Sequence, residues 1–517
     1  MEDVGTLLKK RASERPDDIY LFCPGVEISF SELNERVDRT AVGLHALGVI
    51  PGDRVALLVG NRPEFIEMWW GLWKLGAVMV PINLRLTARE AAYIINHSGA
   101  RVVVAGPECC GLLQELKTAC SRVSHWISGD PDALREAMWP EGFSDGPKLS
   151  PKMAVDLDAP ASILYTSGTT GFPKGVVHSQ ANYLRTGASF ADTTRLKRGD
   201  RLLTANPLYH VNAQFYSAMG TLHAGATFIL IEKFSASRMW DWTREYRANK
   251  VVMLLALTTI LYNRDPRPDD ALNPVEIVVA GGAPKGHYRD FERRFGVKLQ
   301  TLYSLSESPL AVMGMPDEEC VDAAVGRPMP TPPEEPNLAR VIDEQDREVP
   351  AGTPGEIVIR NSAMMKHYYE NPEDTARTMR GGWLHTGDRG LIDERGLLYF
   401  LGRMKDVIRK KGENVSAVEV ETVLLADPSV AEAAVIGVQT ADSAGEDEIK
   451  ACVVWRAGVN QDWAALIARC VEGLADFKVP RLWQTWRELP KNSMNRVVKS
   501  KLKESSVEAG PIYDRRE

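Results

Sequence analysis

"SELNERVDRTAVGLHALGVIPGDRVALLVG", Ser31 to Gly60, reads as an amphipathic helix followed by a buried strand. Ser31 is the expected N-cap, Leu33, Val37, Ala41, Leu44 and Leu47 fall on one helical face, and Gly48 is the expected stop. "RVALLVG", Arg54 to Gly60, then runs apolar without alternation, as a strand covered on both faces does. The same signal returns in "AVMVPIN" (Ala77–Asn83), "RVVVAG" (Arg101–Gly106), "ATFILIEK" (Ala226–Lys233) and "EIVVAGG" (Glu276–Gly282), with helix-length stretches between them. Parallel sheets covered by helices follow, and the fold class is α/β.

A chain of 517 residues exceeds what one hydrophobic core organises, so two or more domains are expected. After "YFLGRMKD", Tyr399 to Asp406, the chain becomes more charged and strands and helices alternate for about a hundred residues. The expected division is a large N-terminal domain of parallel-rich sheets, residues 1–402, and a small mobile α+β domain, residues 403–517. "PMPTPPEEP", Pro328 to Pro336, is a proline-rich loop, and "ESSVEAGPIYDRRE", Glu504 to Glu517, is expected to be a frayed tail.

Composition removes several functions. Lys and Arg number 62 against 69 Asp and Glu, a net charge of −7 with mixed signs, which leaves no broad basic field for nucleic acid. Any phosphate binding must therefore be local. The longest apolar run, "VVMLLALTTILY" from Val251 to Tyr262, is shorter than the roughly 18 residues of a membrane span. "MEDVGTLLKKRASERPDD" has no apolar export core, and seven cysteines without a CxxC pair point to reduced thiols, so a cytoplasmic location is expected. The nine histidines lack zinc-ligand spacing.

The strongest chemical signal is "ILYTSGTTGFPKGVVHSQAN", Ile163 to Asn182. A strand runs into Thr166, Ser167, Gly168, Thr169, Thr170 and Gly171, six small residues rich in hydroxyls and backbone N–H groups, and Lys174 follows. Such a loop can wrap polyphosphate oxygens, because glycine admits close approach and the donors carry no bulk. It is not a Walker A loop, since Gly175 stands where Ser or Thr should follow the lysine.

With "YTSGTTGFPKGV" the chain resembles the acyl-adenylate-forming enzymes, which include acyl-CoA synthetases, luciferases and peptide-synthetase adenylation domains; the likeness runs from "SELNERVDRTAVGLHALGV" to "VVKSKL". The resemblance implies that Thr166 to Gly171 and Lys174 hold the β- and γ-phosphates of ATP, and that "GGAP" (Gly281, Gly282, Ala283, Pro284) borders the adenine and acyl pockets. In "LYSLSES" it assigns Tyr303 to stacking on adenine, Ser306 to the α-phosphate and Glu307 to Mg²⁺, with Ser304 in place of the usual glycine. Asp388, in "GGWLHTGDRG", and Arg403, in "LGRMKDVIRKKGENVSAVEVE", would bind the ribose, as a carboxylate with two acceptor oxygens suits a vicinal diol. Lys405 would be the hinge, Gly412 would line the CoA channel after the small domain swings in, and His210, in "PLYHVNAQ", would gate that channel. Lys410 and Lys411 are expected on a solvated face, and Val211, Asn212, Ala213, Gln214 and the positions around Gly282 and Ser308 are expected to line the acyl pocket. "VPINLRLTAREAAYIINHSGARVVV" and "GATFILIEKFSASRMW" look closest to carnitine- and medium-chain-type CoA ligases.

One departure stands in "LPKNSMNRVVKSKL", Leu489 to Leu502. Aligned on Pro490, Val497, Lys499 and Leu502, the family's adenylating lysine falls on Arg496 and the preceding glycine on Asn495. A planar guanidinium does not replace a slim ammonium in a fitted slot. The expected activity is therefore transfer of an acyl group from acyl-AMP to CoA with adenylation impaired, in natural-product biosynthesis and with the adenylate supplied by a separate ligase. A complete ATP-dependent synthetase, with Arg496 or Lys499 standing in for the lysine, and a non-catalytic acyl-nucleotide binder are the alternatives.

Overall fold

The computed structural model describes residues 2–129, 155–166, 173–282, 288–321, 323–404, 407–410, 413–440, 447–492, 497–504 and 509–515. The opening helix–strand unit forms as Phe30–Ala46 and Arg54–Leu58, with Leu33, Val37, Ala41 and Leu44 buried. Its cap is Ser29, not Ser31: Ser29 is extended and its side chain accepts from the Glu32 N–H, while Ser31 already lies in the first turn. Gly48 has φ +82°, which the chain needs to leave the helix.

The four apolar runs form Val78–Pro81, Val102–Ala105, Thr227–Leu230 and Ile277–Gly281, all in parallel pairings. Two sheets result. A seven-stranded sheet carries Arg54–Leu58 and Val78–Pro81 at its centre and continues into the antiparallel hairpin Pro160–Thr166 and Lys174–Ser179. In the larger sheet, Arg201–Thr204, Lys250–Leu254, Ile277–Gly281 and Lys298–Tyr303 are parallel neighbours, and antiparallel strands from Val312 to Arg403 extend it. The helix Pro63–Lys74 lies in the largest core with Trp69, Trp70 and Trp73 fully buried, and Trp73 Nε1 donates to the Ala161 carbonyl at 2.8 Å. "VVMLLALTTILY" divides into the end of one strand and the helix Leu255–Tyr262; among the described residues no helix is long and apolar enough to cross a membrane.

The fold is α/β, with a large N-terminal domain and a small C-terminal one. The latter contains the hairpin Val407–Lys410 and Glu413–Ser416 and a four-stranded sheet, Val430–Val438, Glu448–Trp455, Leu482–Trp486 and Ala509–Asp514. The expected frayed tail is in part an edge strand. Ala509–Asp514 pairs with Leu482–Trp486, and Arg481 holds the Asp514 carboxylate at 2.6 Å. Lys410 is likewise no solvated charge, since it pairs with the buried Glu448; Lys411 lies outside the described residues. All seven cysteines are free thiols.

Candidate active site

The four adjacent parallel strands of the large sheet end together, and the chain leaves them at Asn206–His210, Leu255, Gly282 and Ser304. Carboxyl ends of parallel strands are where open α/β sheets bind ligands. Gly282 has φ +131°, and a Cβ there would sit 3.0 Å from Leu255, so the close approach of these two strand ends needs glycine. Asn212 completes the cluster, its Nδ2 3.8 Å from where a Gly281 Cβ would stand and its Oδ1 2.6 Å from Asn206 Nδ2.

From Tyr303 the segment to Ser308 continues from the end of its strand and is pinned at both ends. At the first end the Tyr303 hydroxyl donates to Asp388 Oδ2 at 2.7 Å, and Arg403 Nε lies 2.8 Å from Asp388 Oδ1. Antiparallel pairing of Trp383–Ile392 with Leu398–Arg403 sets Asp388 opposite Arg403, so backbone register delivers the ion pair. Asp388 is 2% exposed, whereas the Arg403 side chain is 45% exposed and remains free to turn toward a ligand. Burial, and then the Asp388 charge, push the Tyr303 phenol well above its usual range, which keeps it a donor. Its side chain belongs to a buried cluster with Val312, Val325, Ile357 and Leu398.

At the other end Glu307 Oε1 accepts from the Tyr368 hydroxyl at 2.7 Å, and the Met365 N–H donates to the Glu307 carbonyl. Lys174 lies over the Tyr368 ring, 5.1 Å from its centroid, and its Nζ is 2.5 Å from Asp374 Oδ2. Thr166 and Lys174 are paired across the hairpin, so the chain leaves and re-enters the sheet at one place. Tyr368 and Asp374 were not foreseen from the sequence. Asn371 caps the helix Pro372–Thr378 by accepting from the Asp374 N–H, and this N-cap signature in "YENPEDT" was the available signal.

The middle of the segment rests on a buried histidine. His178 Nε2 donates to the Ser306 carbonyl at 2.7 Å, and the Ser304 hydroxyl bonds Tyr216, whose own hydroxyl reaches the Pro309 carbonyl. Burial, with a smaller contribution from Lys366, lowers the His178 pKa to about 4. The unfolded chain binds this proton near 6.5, so the stabilisation is complete above that pH and is lost as pH falls through 4. Between pH 7.5 and pH 5 the loss is about 2 kcal/mol. His178→Gln retains a donor for Ser306 and removes the titration; urea unfolding of the variant is expected to lose correspondingly less stability over that interval than the parent does.

His210 is half-buried beside Tyr209, their rings 4.6 Å apart at 66°, at the end of a loop held by two buried amides. Asn61 accepts from the Leu208 N–H at 2.8 Å and donates to the Asn206 carbonyl, and Gln214 Nε2 donates to the Leu208 carbonyl at 2.6 Å. Gln214 and Ala213 therefore face the core rather than an acyl group, because Asn212–Ala218 is a π-helix and its wider turn rotates the register. Ser308 is also turned inward, toward the Leu310 carbonyl and Asn361. Ser167 to Gly171, Ala283, Pro284, Lys405, Gly412 and Arg496 lie outside the described residues.

A family model of AMP-binding enzymes matches residues 8–369, and a second, of the AMP-binding enzyme C-terminal domain, matches residues 419–495. The chain belongs to the AMP-binding enzyme family. The crotonobetaine/carnitine–CoA ligase of Salmonella agona is 34% identical over 501 residues, 94% of this chain and 95% of that one. Among solved structures, ATP-bound MatB of Rhodopseudomonas palustris superposes with a TM-score of 0.87 at 28% identity, over 97% of this chain and 98% of that one. The o-succinylbenzoate CoA synthetase of Bacillus subtilis with its acyl-adenylate superposes with a TM-score of 0.84 at 25% identity, over 98% and 99%. This AMP-binding enzyme is an acyl-CoA ligase of the adenylate-forming, acid–thiol type, and its relatives imply the use of ATP and CoA. They favour a complete ATP-dependent synthetase over impaired adenylation, and nothing in them points to natural-product biosynthesis or to a separate adenylating ligase.

Proposed function

We propose that the protein makes an acyl-CoA from a carboxylic acid, ATP and CoA through an acyl-adenylate, with Arg496 making adenylation the slower half-reaction. The supporting observation is the single segment Tyr303–Glu307, tied at one end to Asp388 and Arg403 and at the other to Tyr368, beneath Lys174. One strip of chain thereby joins a carboxylate suited to a vicinal diol to a cation suited to polyphosphate and a carboxylate suited to a metal ion. In the first half-reaction the substrate carboxylate oxygen bonds to the α-phosphorus and the bond to the β-phosphate oxygen breaks, releasing pyrophosphate. Asp388 and Arg403 hold the ribose, Lys174 and the loop from Thr166 hold the leaving phosphates, and Ser306 meets the α-phosphate. In the second the CoA sulfur bonds to the acyl carbon, AMP departs, and Gly412 and His210 border the thiol's path. Glu307 keeps one carboxylate oxygen beyond its bond to Tyr368, and a single protein carboxylate beside phosphate fits Mg²⁺. When bound, Mg²⁺ would neutralise charge developing on the phosphates.

A carnitine-like or other small acid is the first substrate class to try, given the 34% identical carnitine–CoA ligase. The second reading, favoured by Arg496, restricts the protein to acyl transfer from a supplied adenylate. Pyrophosphate exchange into ATP across an acid panel, run beside thioester formation from synthetic acyl-AMP and CoA, separates the two. Exchange with any acid supports the complete synthetase; transfer without exchange supports the restricted one, and neither activity leaves only nucleotide binding.

The proposed domains are 1–402 and 403–517, turning at Lys405 in a cytoplasmic enzyme. The strand Leu398–Arg403, paired with Trp383–Ile392 of the large domain, ends two residues before Lys405, which supports a turn at that point. Proline fixes φ and removes an N–H. Lys405→Pro is expected to reduce thioester formation from supplied acyl-AMP by about 10²-fold while pyrophosphate exchange changes by less than about threefold. Unchanged thioester formation would remove Lys405 as the hinge.

A further inference from the structure

Lys174 already has an anion. Its Nζ is 2.5 Å from Asp374 Oδ2, with the two side chains 25% and 17% exposed, and Asn371 Nδ2 donates to the same oxygen at 3.0 Å. The other Asp374 oxygen is taken by Arg377. Below the pair, Tyr368 offers its ring to Lys174 and its hydroxyl to Glu307, so the ammonium rests on a shelf fastened to the segment Tyr303–Glu307. We infer that Asp374 is an internal stand-in for phosphate, released by Lys174 when a polyphosphate binds, and that it sets the affinity of the site for ATP and pyrophosphate.

The inference rests on reading Lys174 as a phosphate ligand. A carboxylate and a phosphate oxygen compete for the same ammonium protons, and Asp374 remains at the rim as a negative charge once displaced. The hydrogen bond from Lys174 holds the Asp374 carboxyl below its usual range, in keeping with a fully ionised competitor. Two effects oppose each other when that charge is removed. Lys174 loses an orienting partner, a small effect for a partly exposed pair, while a polyphosphate carrying several charges escapes the repulsion of a carboxylate a few ångströms away. The second effect is larger. Asp374 also supplies the N–H that Asn371 caps, but this is a backbone group and survives substitution by asparagine.

The test is binding of inorganic tripolyphosphate to the full-length chain by titration calorimetry, without acid or CoA. Asp374→Asn is expected to tighten binding about three- to tenfold at low ionic strength, with the gain shrinking as salt screens the charge. Asp374→Glu is expected to restore the parental affinity. In turnover, Asp374→Asn should lower KM for ATP and strengthen inhibition by pyrophosphate, a pattern that loss of the helix Pro372–Thr378 would not give. Equal or weaker tripolyphosphate binding by folded Asp374→Asn would overturn the inference. Lys174→Gln separates the two levels: if it binds tripolyphosphate as the parent does, the reading of Lys174 fails. Should Asp374→Asn not fold, Arg377→Gln removes Asp374's competing partner and is expected to weaken tripolyphosphate binding; tighter or unchanged binding would count against Asp374.

Discussion

Asp388→Ala is expected to lower kcat/KM for ATP by about 10²- to 10⁴-fold while the protein remains folded. The range follows from two hydrogen bonds to an ionised acceptor, each worth about 1.5–3 kcal/mol, at about 1.4 kcal/mol per tenfold change. Retention of the fold follows from what surrounds the carboxylate. Arg403 is 45% exposed and can solvate its charge when Asp388 is gone, so the buried Tyr303 hydroxyl is the partner left to find a new acceptor. The result expected is a high KM for ATP with little change in KM for CoA, and a melting temperature lowered by only a few degrees. Asp388→Asn is a sharper version. It keeps an oxygen for the Tyr303 hydroxyl but presents either N–H protons or a weaker acceptor to Arg403 and to the ribose, so ATP affinity should still fall by at least tenfold. An unchanged KM for ATP in either variant would remove Asp388 from the nucleotide site.

The sequence made the parallel half of the molecule readable because buried parallel strands are continuous apolar runs. "RVVVAG" and "EIVVAGG" became Val102–Ala105 and Ile277–Gly281 at the expected places. It also marked the residues whose chemistry is local: Tyr303, Glu307, Asp388 and Arg403 stand in recognisable segments, and the structure joins the first to Asp388 and Arg403 and the second to Tyr368. What it did not reveal were partnerships between distant segments. Nothing around His178 announces that its ring bears the carbonyl of Ser306, 128 residues away, and nothing around Asn61 announces that it fixes Leu208, 147 residues away.

Errors of direction had a different origin. Gln214 is expected beside the acyl group from its place just after His210, but in the π-helix it is turned toward Tyr183 and the Leu208 carbonyl. The tail from Glu504 looked unstructured on composition, yet a strand needs only an open edge and one anchor. Leu482–Trp486 supplies the edge and Arg481 the anchor for Asp514. Lys410 was misjudged because a charge run says nothing about the carboxylate that a neighbouring strand brings, here Glu448.

Arg496→Lys is expected to raise pyrophosphate exchange by about 10²-fold, with thioester formation from supplied acyl-AMP nearly unchanged. The size follows from the sensitivity of transition-state stabilisation to displacements of about 1 Å, the order of misfit between a guanidinium fork and a slot made for an ammonium. The described residues on either side of this segment support a change confined to the side chain. Lys491 is bridged to Val497, the Val498 N–H donates to the Pro490 carbonyl at 2.7 Å, and Leu502 is fully buried, so the base of the loop is fixed whichever cation it carries. Lys499 Nζ lies 2.7 Å from Glu421 Oε1, which also accepts the Val435 N–H, so Lys499 would have to leave Glu421 to act in place of the missing ammonium. Asn495, in place of the usual glycine, tolerates left-handed backbone better than most residues with a side chain, so the lysine should act without a second substitution. If the parent exchanges pyrophosphate as fast as Arg496→Lys does when given its proper acid, Arg496 is a competent replacement and adenylation is not the slower half-reaction. If neither protein exchanges with any acid while both transfer acyl groups from acyl-AMP, the block lies elsewhere than in this residue, and the transfer-only reading stands without Arg496 as its cause.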